Sequence, residues 1–594
     1  MKALVIGGGH NGLVAGVLLA RAGVDTTVLE AADSPGGCVW TETLPDGNVI
    51  ERGAVDHGGI AGLAAELGLA EFGLHYVERD RLSAMYFGDG QHRAFEVSAE
   101  ETAAGLGADG PAYLELARRA AAFFGVLDAF EAPPTPTALA AALHRVPGGD
   151  ATFRMLLSPA EAVLERTLCD PHTRAALALH AAHSQIPPWA AGSGMFALLL
   201  PASHGMPATR PVGGSGALIT ALVAALEAAG GRLLTGAKAV AMTRSATGFT
   251  VSLAGGETLT ADRVVSTLDV RRTVALLTDP PETLRAAAAQ TSSGRLNVCE
   301  LTVSIAGVAP PEAAAGPTGS LRDATHSPPG PGAADPRPAP VVPAGQSPGP
   351  AQEPSLGPFL GQSPGPSLGQ SPGPAQEQTP GTTPSPRGKS PVDPRSAPVA
   401  RTGPVCFVQD GLDDLRRGFG EVLAGRLPGS PWAMVAGGGT GVWLSSVVPL
   451  RRADGPWTPA LEREAAARVV GAAGRILGAD LSGGEVVVTG PTSWAVRLHG
   501  DGNPNHLDLG IDQLLGWRPA GIPVPRTPLP GLYLAGAGTH PGGGLSGASG
   551  KAAARALLAD TGDAPRTSRR ARVREEIAAL WSGLRAYQAM RGVP

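Results

Sequence analysis

The first thirty residues alternate between apolar runs and a glycine-rich turn. The pattern predicts a strand over Lys2–Ile6, a buried helix over Leu13–Ala20, and a second strand that ends at Leu29, just before Glu30. A strand, a tight turn, a helix and a second strand in this order predict the opening unit of a doubly wound α/β fold.

The middle of the chain shows both helical and strand periodicity. Apolar residues at helical spacing predict helices over Ala112–Phe124, Ala151–Cys169 and Ala217–Ala229. Short strands are predicted over Arg232–Thr235, Ala237–Thr243, Phe249–Leu253, Val264–Thr267, Asn297–Ile305 and Val405–Gln409. The glycine-rich segment 437–441 precedes a strand-like run, so it predicts a turn between two strands rather than a second nucleotide site.

Residues 307–404 interrupt this pattern with a segment rich in proline and glycine. They hold 25 of the chain's 56 prolines, and Gly-Gln-Ser-Pro-Gly-Pro recurs at 345–350, 361–366 and 369–374. Such a composition buries too little apolar surface to offset chain entropy, so it predicts a disordered insert within the strand pair 297–305 and 405–409. A PxxP ligand is the alternative to an expanded surface loop.

Composition and charge limit the function classes. A chain of 594 residues predicts two domains or more. A net charge of −5 and a pI near 6.2 give no indication of a basic surface that would bind nucleic acid. The cysteines form no C-x-x-C pair, and no Asp/Glu/His cluster has metal-ligand spacing, so we expect neither a dithiol centre nor a metal. This cysteine usage and the lack of a long apolar run predict a cytoplasmic protein.

The turn Gly7-Gly8-Gly9-His10-Asn11-Gly12 has the G-x-G-x-x-G spacing of a dinucleotide-binding motif. Gly7 permits the tight turn, Gly9 lets the backbone approach a pyrophosphate, and Gly12 lets the helix pack closely on the sheet. Glu30 stands where a carboxylate holds ribose hydroxyls. The motif therefore predicts a nucleotide cofactor.

A second strand, glycine-rich loop and helix start lie more than five hundred residues further on. Segment 531–544 leads through Ser546-Gly547-Ala548 into an apolar helical stretch. With the first motif, it resembles the flavoprotein superfamily of phytoene desaturases, amine oxidases and protoporphyrinogen oxidase. Segments 502–519 and 539–544 are most similar to the phytoene dehydrogenase-related branch, which includes pyridine nucleotide-disulfide oxidoreductase domain-containing protein 2.

The resemblance implies FAD as the cofactor. The N-terminal motif would hold the ADP half, and the C-terminal loop and helix would close on the isoalloxazine. The residues it implies as cofactor contacts are Gly7, Gly9, His10, Asn11, Gly12, Glu30, Gly36, Gly37, Val240, Gly536, Gly538, Gly547 and Ala548. Many relatives carry Arg after the Gly-Gly pair; Cys38 stands there in this chain, which implies weaker FAD binding.

The resemblance also implies the domain order. We expect an α/β fold in which a discontinuous Rossmann-like FAD-binding domain, 1–75, 206–275 and 491–560, carries an α+β substrate or cap domain, 76–205, 276–306 and 405–490. The insert 307–404 and a basic tail, 561–594, complete the chain. The tail predicts an amphipathic helix that suits an anionic membrane surface, its own domain or a second copy of the chain, and we favour docking.

The function implied is that of an FAD-dependent oxidoreductase. It would remove hydride from an apolar, carotenoid- or isoprenoid-like substrate, with oxygen or a quinone as electron acceptor. A flavin amine oxidase is the enzymatic alternative, although its aromatic cage is poorly supplied by a chain with 4% aromatic residues. A Rab GDP-dissociation-inhibitor-like binding protein is the non-catalytic one, and the intact flavin motifs favour the enzyme.

Because the flavin would supply the hydride chemistry, no catalytic triad is expected. His540 lies in the loop expected to border the flavin. It is a candidate for proton handling, or for fixing its loop by hydrogen bonds.

Overall fold

The computed structural model describes residues 1–79, 81–130, 132–205, 209–311, 405–500 and 502–562. The predictions for the insert beyond Pro311 and for the basic tail beyond Gly562 lie outside the described residues.

A five-stranded parallel sheet carries the nucleotide motif. Its order from edge to edge is Leu532–Leu534, Arg263–Ser266, Lys2–Ile6, Asp25–Leu29 and Arg232–Leu234. Both faces of the sheet are buried, because Ala3 and Val5 join one apolar cluster while Leu4 and Ile6 join another. This explains the continuous apolar runs, which are typical of parallel strands covered on both sides.

Two different layers cover this sheet. The helices His10–Arg21, Gly216–Ala228 and Ala548–Thr561 pack together on one face. A three-stranded antiparallel sheet lies against the other face, with the helices Val270–Leu276 and Glu282–Gln290 beside it. Its strands are Ala239–Arg244, Phe249–Leu253 and Thr258–Ala261. Residues from all three parts of the chain that were assigned to the FAD-binding domain contribute strands or helices to these layers.

A seven-stranded mixed sheet forms the second large layer. Its order is Glu485–Thr489, Val298–Ala306, Gly441–Pro449, Ala433–Gly438, Val405–Gln409, Arg81–Phe87 and His92–Glu96. The helix Pro459–Leu477 packs on one face. The other face is covered by the apolar helices of the cap: Gly110–Asp128, Pro136–Leu143, Gly149–Leu157, Ala160–Thr167, Pro171–His183, Leu199–Ala202 and Leu412–Leu423.

Smaller elements connect these layers. They are the strand pairs Thr41–Thr43 with Val49–Glu51 and Tyr76–Glu78 with Thr209–Pro211, the helices Gly58–Glu66, Ala99–Gly105 and Pro491–Arg497, and short 3₁₀ turns. The α/β fold class is confirmed, and so is the turn at Gly437–Gly441, which joins two antiparallel strands.

Two sequence predictions are wrong. The helix expected over Ala151–Cys169 is two helices, because Pro159 disfavours helical backbone at Ser158 and starts the next helix instead. The strands 298–306 and 405–409 are not paired with each other. The hairpin of Ala433–Gly438 and Gly441–Pro449 lies between them in the sheet, so each pairs with a strand that comes later in the chain.

Candidate cofactor and substrate site

The turn at Gly7–Gly12 is a backbone cradle that admits only glycine at two points. Gly7 has a φ of +105°, and a Cβ there would overlap the Thr267 hydroxyl. A Cβ on Gly12 would overlap the carbonyl oxygen of Gly7. By contrast, a Cβ on Gly9 would meet nothing closer than 3.9 Å, so this residue leaves room on its outer side. The cradle therefore has the shape that close approach of a pyrophosphate requires.

Glu30 is fixed at the carboxyl end of the second strand. The backbone N–H of Gly8 donates to one carboxylate oxygen at 2.8 Å, and the N–H of Ala32 donates to the other at 2.9 Å. The side chain lies beside the glycine turn, as the motif predicts for a ribose ligand.

Asn11 joins the two distant motifs. Its side-chain oxygen accepts from the Ser549 hydroxyl at 2.9 Å, and that hydroxyl accepts from the Gly536 N–H at 3.0 Å. A Cβ on Gly550 would overlap the Asn11 carbonyl oxygen, so the C-terminal helix packs against the first helix at backbone distance. The structure thus brings together residues that are 538 positions apart.

The C-terminal loop packs on the end of the parallel sheet. Gly536 has a φ of +83° and lies against the Thr267 carbonyl, while a Cβ on Gly538 would meet Asp269 at 3.0 Å. Gly547, with a φ of +68°, precedes the helix that begins at Ala548. The helix N-terminus therefore points positive charge toward the loop, as the sequence predicts.

Gly36 and Gly37 lie against the first motif. The Gly36 N–H donates to Gly8 O at 2.9 Å, and Gly36 forms an isolated bridge with Gly9. Cys38 follows them, partly buried, and desolvation raises the pKa of its thiol to about 12. This thiol is therefore neutral and supplies no charge to the cradle.

Arg497 brings a positive charge to the segment 34–37, which precedes Cys38. Arg497, at the end of a helix that lies far along the chain, donates to Gly37 O at 3.2 Å and to Pro35 O at 2.9 Å. Its guanidinium also donates to the carbonyl and hydroxyl oxygens of Ser34 and lies over the Trp40 ring. Sequence reasoning missed Arg497, since only the fold brings it near.

Val240 lies at a bulge in the strand Ala239–Arg244 and is 45% exposed. The same stretch of chain reaches Glu30, because the Ala237 N–H donates to the Glu30 carbonyl at 2.8 Å. Its contact with the adenine end of a cofactor stays a prediction.

His540 is buried in the C-terminal loop. Burial lowers the pKa of its imidazole to about 4, with the Arg518 charge as the second cause. The Arg518 guanidinium is fully buried and binds the loop from within. It donates to the carbonyl oxygens of Asn505, Leu507, Asp508, Gln513 and Ala537. Arg518 is a second residue that sequence reasoning missed, and it fixes the loop that His540 belongs to.

A cavity of about 530 Å³ begins at this loop and extends between the mixed sheet and the cap helices. Its volume lies within the usual range of small-molecule sites. The wall is mostly apolar and aromatic. Residues that line it include His10, Cys38, Phe123, Phe124, Leu127, Met195, Leu199, Phe407, Trp432, Trp443, Trp494, Ala537, His540, Gly544 and Ser546.

Three charged residues line this wall, Asp56, Arg79 and Glu300, and Arg79 and Glu300 were not found from the sequence. Burial raises the pKa of the Glu300 carboxyl, which accepts from the Ser445 hydroxyl at 2.8 Å. The sequence did hold a sign of Glu300, which is an acidic residue within the mostly apolar strand Val298–Ala306. Carboxylates are uncommon in buried strands, so such a residue is a candidate for a functional role.

These features fit FAD. The overlaps at Gly7 and Gly12 shape a cradle for a dinucleotide pyrophosphate, Glu30 stands at the ribose position, and the cavity meets the loop before a helix N-terminus. Within the described ranges, no cluster of three His, Cys, Asp or Glu side chains could hold a metal, and no helix is long and apolar enough to cross a membrane. The fold and the site are those expected of a flavoprotein.

Comparison with known proteins agrees with this class. Residues 12–306 match the family of flavin containing amine oxidoreductases. A mouse (Mus musculus) protein, pyridine nucleotide-disulfide oxidoreductase domain-containing protein 2, is 46% identical over 69 residues, a stretch that spans 11% of this chain and 11% of the mouse protein.

Solved structures show the same fold at low sequence identity. Putrescine oxidase bound to putrescine has a TM-score of 0.55 and 14% identity, covering 94% of this chain and 99% of that one. Cyclohexylamine oxidase from Brevibacterium oxydans IH-35A has a TM-score of 0.51 and 13% identity, with the same coverage. Together these structures show an amine-oxidase-like fold for this chain. The finer assignment to the phytoene dehydrogenase-related branch stays a prediction.

Proposed function

We propose that this oxidoreductase dehydrogenates a small, mainly apolar substrate in the cavity between the C-terminal loop and the cap helices. The observation that supports this most directly is the continuity of the cavity. The apolar side chains Phe123, Phe124 and Leu127 of the cap share one space with Ala537 and His540 of the cofactor loop. FAD, when bound, supplies a hydride acceptor that oxygen or a quinone can reoxidise.

The chain's own residues bind the substrate, exclude water and take up a proton. The cap helices and the aromatic side chains on the sheet exclude water from the apolar part of the substrate. Two groups on the wall can hold a proton: His540, whose low pKa of about 4 leaves an imidazole nitrogen unprotonated, and the Glu300 carboxyl. Removal of hydride leaves one proton to be released, and either group suits that role.

Oxidation of an amine is the second candidate. The cavity is richer in aromatic side chains than the overall composition suggested, with Trp443, Trp494 and Phe407 on the wall that Glu300 also lines. Aromatic faces and a carboxylate are the groups that bind an ammonium ion. Putrescine and cyclohexylamine, the substrates named for the two related folds, are amines.

The test is an anaerobic titration of the FAD-loaded protein. The visible flavin absorption is followed while apolar alkenes, saturated acids, alcohols and primary amines are added in separate experiments. Bleaching by an apolar compound supports dehydrogenation, whereas bleaching by amines alone supports the second candidate. In either case Glu300→Gln reports whether the carboxyl takes part, and readmission of oxygen or a quinone identifies the acceptor.

A purified protein that is colourless and gains no flavin absorption on addition of FAD would overturn both candidates. It would favour the non-catalytic, GDP-dissociation-inhibitor-like alternative.

A further inference from the structure

Several residues that line the cavity carry buried polar atoms without a hydrogen-bond partner, and most of these atoms can only donate. Five buried polar atoms of the wall have no hydrogen-bond partner among the described residues: Arg79 Nε, Ser83 Oγ, His180 Nε2, Trp432 Nε1 and Trp443 Nε1. The guanidinium and the two indoles can only donate. Buried donors without an acceptor cost free energy, so this wall is arranged for a ligand that brings oxygen acceptors.

Arg79 is the strongest of these donors. Its side chain is 5% exposed, and its only ion pair within the described residues is a long one, at 3.4 Å to Asp56, whose own side chain is 59% exposed. A buried guanidinium with a distant, solvated partner is poorly neutralised. Arg79 therefore brings a buried positive charge to the cavity wall, and its Nε–H has no acceptor among the described residues.

The surroundings of Arg79 hold one further cation, Arg210, and two carboxyl groups, Asp56 and Glu51. A second buried guanidinium, Arg210, lies close enough that the charge of Arg79 contributes to lowering the pKa of Arg210 to about 10, after burial as the main cause. The nearby buried carboxyl Glu51 already accepts from the Ser215 N–H and the Thr41 hydroxyl. The histidines on this wall, His180 and His183, have pKa values lowered by burial to about 3 and about 4, so they are neutral and repel no anion or cation.

Apolar side chains complete this part of the cavity. Arg79 shares the cavity wall with Phe123, Phe124 and Leu127 from one cap helix. Met195 and Leu199, from a later part of the cap, also line it. A guanidinium on a mostly apolar wall matches a molecule with a long apolar body and one anionic end. Its planar, two-pronged donor set matches a carboxylate.

We infer that Arg79 binds the carboxylate of an apolar carboxylic acid, which is the substrate class of this cavity. This inference deepens the proposed dehydrogenation and rests on it. It places the anionic end of the substrate at Arg79 and leaves the apolar body to extend along the cap helices. A cationic amine is disfavoured at this position, because it would face a guanidinium and further donors.

The test compares four probes of one chain length on the FAD-loaded protein: oleate, methyl oleate, oleylamine and oleyl phosphate. Binding is measured by the perturbation of the flavin spectrum and by calorimetry. We expect oleate to bind about tenfold or more tightly than its methyl ester, since a buried charged hydrogen bond separates the two. Equal binding of acid and ester by the unaltered protein would overturn the inference, and so would tighter binding of the amine or the phosphate.

The variants locate the effect. Arg79→Met should remove the preference for oleate over methyl oleate while leaving binding of the ester unchanged, and Arg79→Lys should keep part of it. Arg81→Gln is the matched control. Arg81 lies two residues after Arg79, but its side chain is 38% exposed and forms an ion pair with Glu96. A preference that persists in Arg79→Met would contradict the assignment. If Arg79→Met does not fold, the probe comparison in the unaltered protein and Arg79→Lys still decide.

Failure of this inference is distinguishable from failure of the proposed function. The flavin spectrum of each sample shows directly whether FAD is bound and whether a probe reduces it. Normal flavin reduction by a neutral apolar compound, with no role for Arg79, would retain the dehydrogenase and discard the carboxylate.

Discussion

The cofactor end and the substrate end of this molecule are built in different ways. At the cofactor end, backbone atoms make the site, and Gly7 and Gly12 are required because any side chain would overlap a neighbouring group. At the substrate end, side chains from separate layers make the site, as where Glu300 meets Ser445 across two strands of the mixed sheet. A backbone site tolerates few substitutions, whereas a side-chain site can change its specificity without losing the fold.

The largest effect should follow from Gly12→Ala. The added methyl overlaps the Gly7 carbonyl, so the first helix must move away from the turn and the cradle opens. We expect loss of FAD retention on purification and a stability loss of about 1–3 kcal/mol, typical of overpacking. Absorption spectra and urea unfolding measure the two effects.

Gly62→Ala is the matched control for this change, because a Cβ there meets nothing within 4 Å and the residue lies within the helix Gly58–Glu66. It should be neutral, or stabilising by about 0.5–1 kcal/mol. Full FAD retention in Gly12→Ala would show that the cradle is not a close-packed backbone site.

Acidic pH should lower the stability of the folded protein mainly through histidines on the cavity wall. Four histidines on the cavity wall have pKa values lowered by burial to about 3 or 4: His10, His180, His183 and His540. In the unfolded chain they titrate near 6.5, so the folded state binds fewer protons below that pH. The contribution of these histidines to the free energy of unfolding is therefore fully present above pH 6.5. It is lost as the pH falls from there toward 4, by roughly several kcal/mol in total.

Urea unfolding between pH 7 and 4.5 measures this loss, and His183→Gln should reduce its slope. His144→Gln is the control, since His144 is 75% exposed beside Asp150 and should leave the slope unchanged. The raised pKa of Glu300 acts in the opposite direction, because this carboxyl keeps its proton to a higher pH in the folded state than in the unfolded chain. A stability profile that is flat from pH 7 to 4.5 would contradict the burial of these imidazoles.

The same contrast explains what the sequence could predict. The parallel strands, the glycine turn and the C-terminal loop were all predictable, because each depends on local spacing and on backbone space that only glycine leaves. The α/β class followed from them. The strand order of the mixed sheet was not predictable, since a hairpin that comes later in the chain lies between strands 298–306 and 405–409.

The polar groups of the cavity were hidden for the same reason. Arg79, Glu300 and His180 come from a strand end, a central strand and a helix, and no local spacing relates them. His540 was found because it lies inside a local motif. Side chains that meet only through tertiary structure leave no pattern in a single sequence, apart from an unusual charge within an apolar run.

A moderate effect should follow from Ser549→Ala, which breaks the link between the two cofactor motifs. The change removes the donor to Asn11 and leaves the Gly536 N–H without its acceptor. A buried N–H without a partner costs about 1–3 kcal/mol, so the thermal midpoint should fall and FAD should bind more weakly. Ser546→Ala, three residues earlier in the same loop, removes a long 3.4 Å contact from the Ala548 N–H and should change stability little.

The smallest effect should come from a charged side chain that lies beside the glycine cradle at the cofactor end. Arg497 holds the carbonyls of Ser34, Pro35 and Gly37 and brings positive charge beside the cradle, where Cys38 brings none. Arg497→Gln should weaken FAD binding about tenfold, since it removes charged hydrogen bonds from a partly exposed group. Fluorescence quenching of FAD at two salt concentrations measures the affinity and its electrostatic part.

Cys38→Arg in the Arg497→Gln background decides what this charge does. Restored affinity, with restored salt dependence, would mean that the cradle needs a guanidinium and accepts it from either position. Unrestored affinity with a lowered thermal midpoint would mean that Arg497 acts only by holding the 34–37 backbone in place. In that case the cofactor end would be a backbone site throughout, and its contrast with the substrate end would be sharper than the contacts of Arg497 suggest.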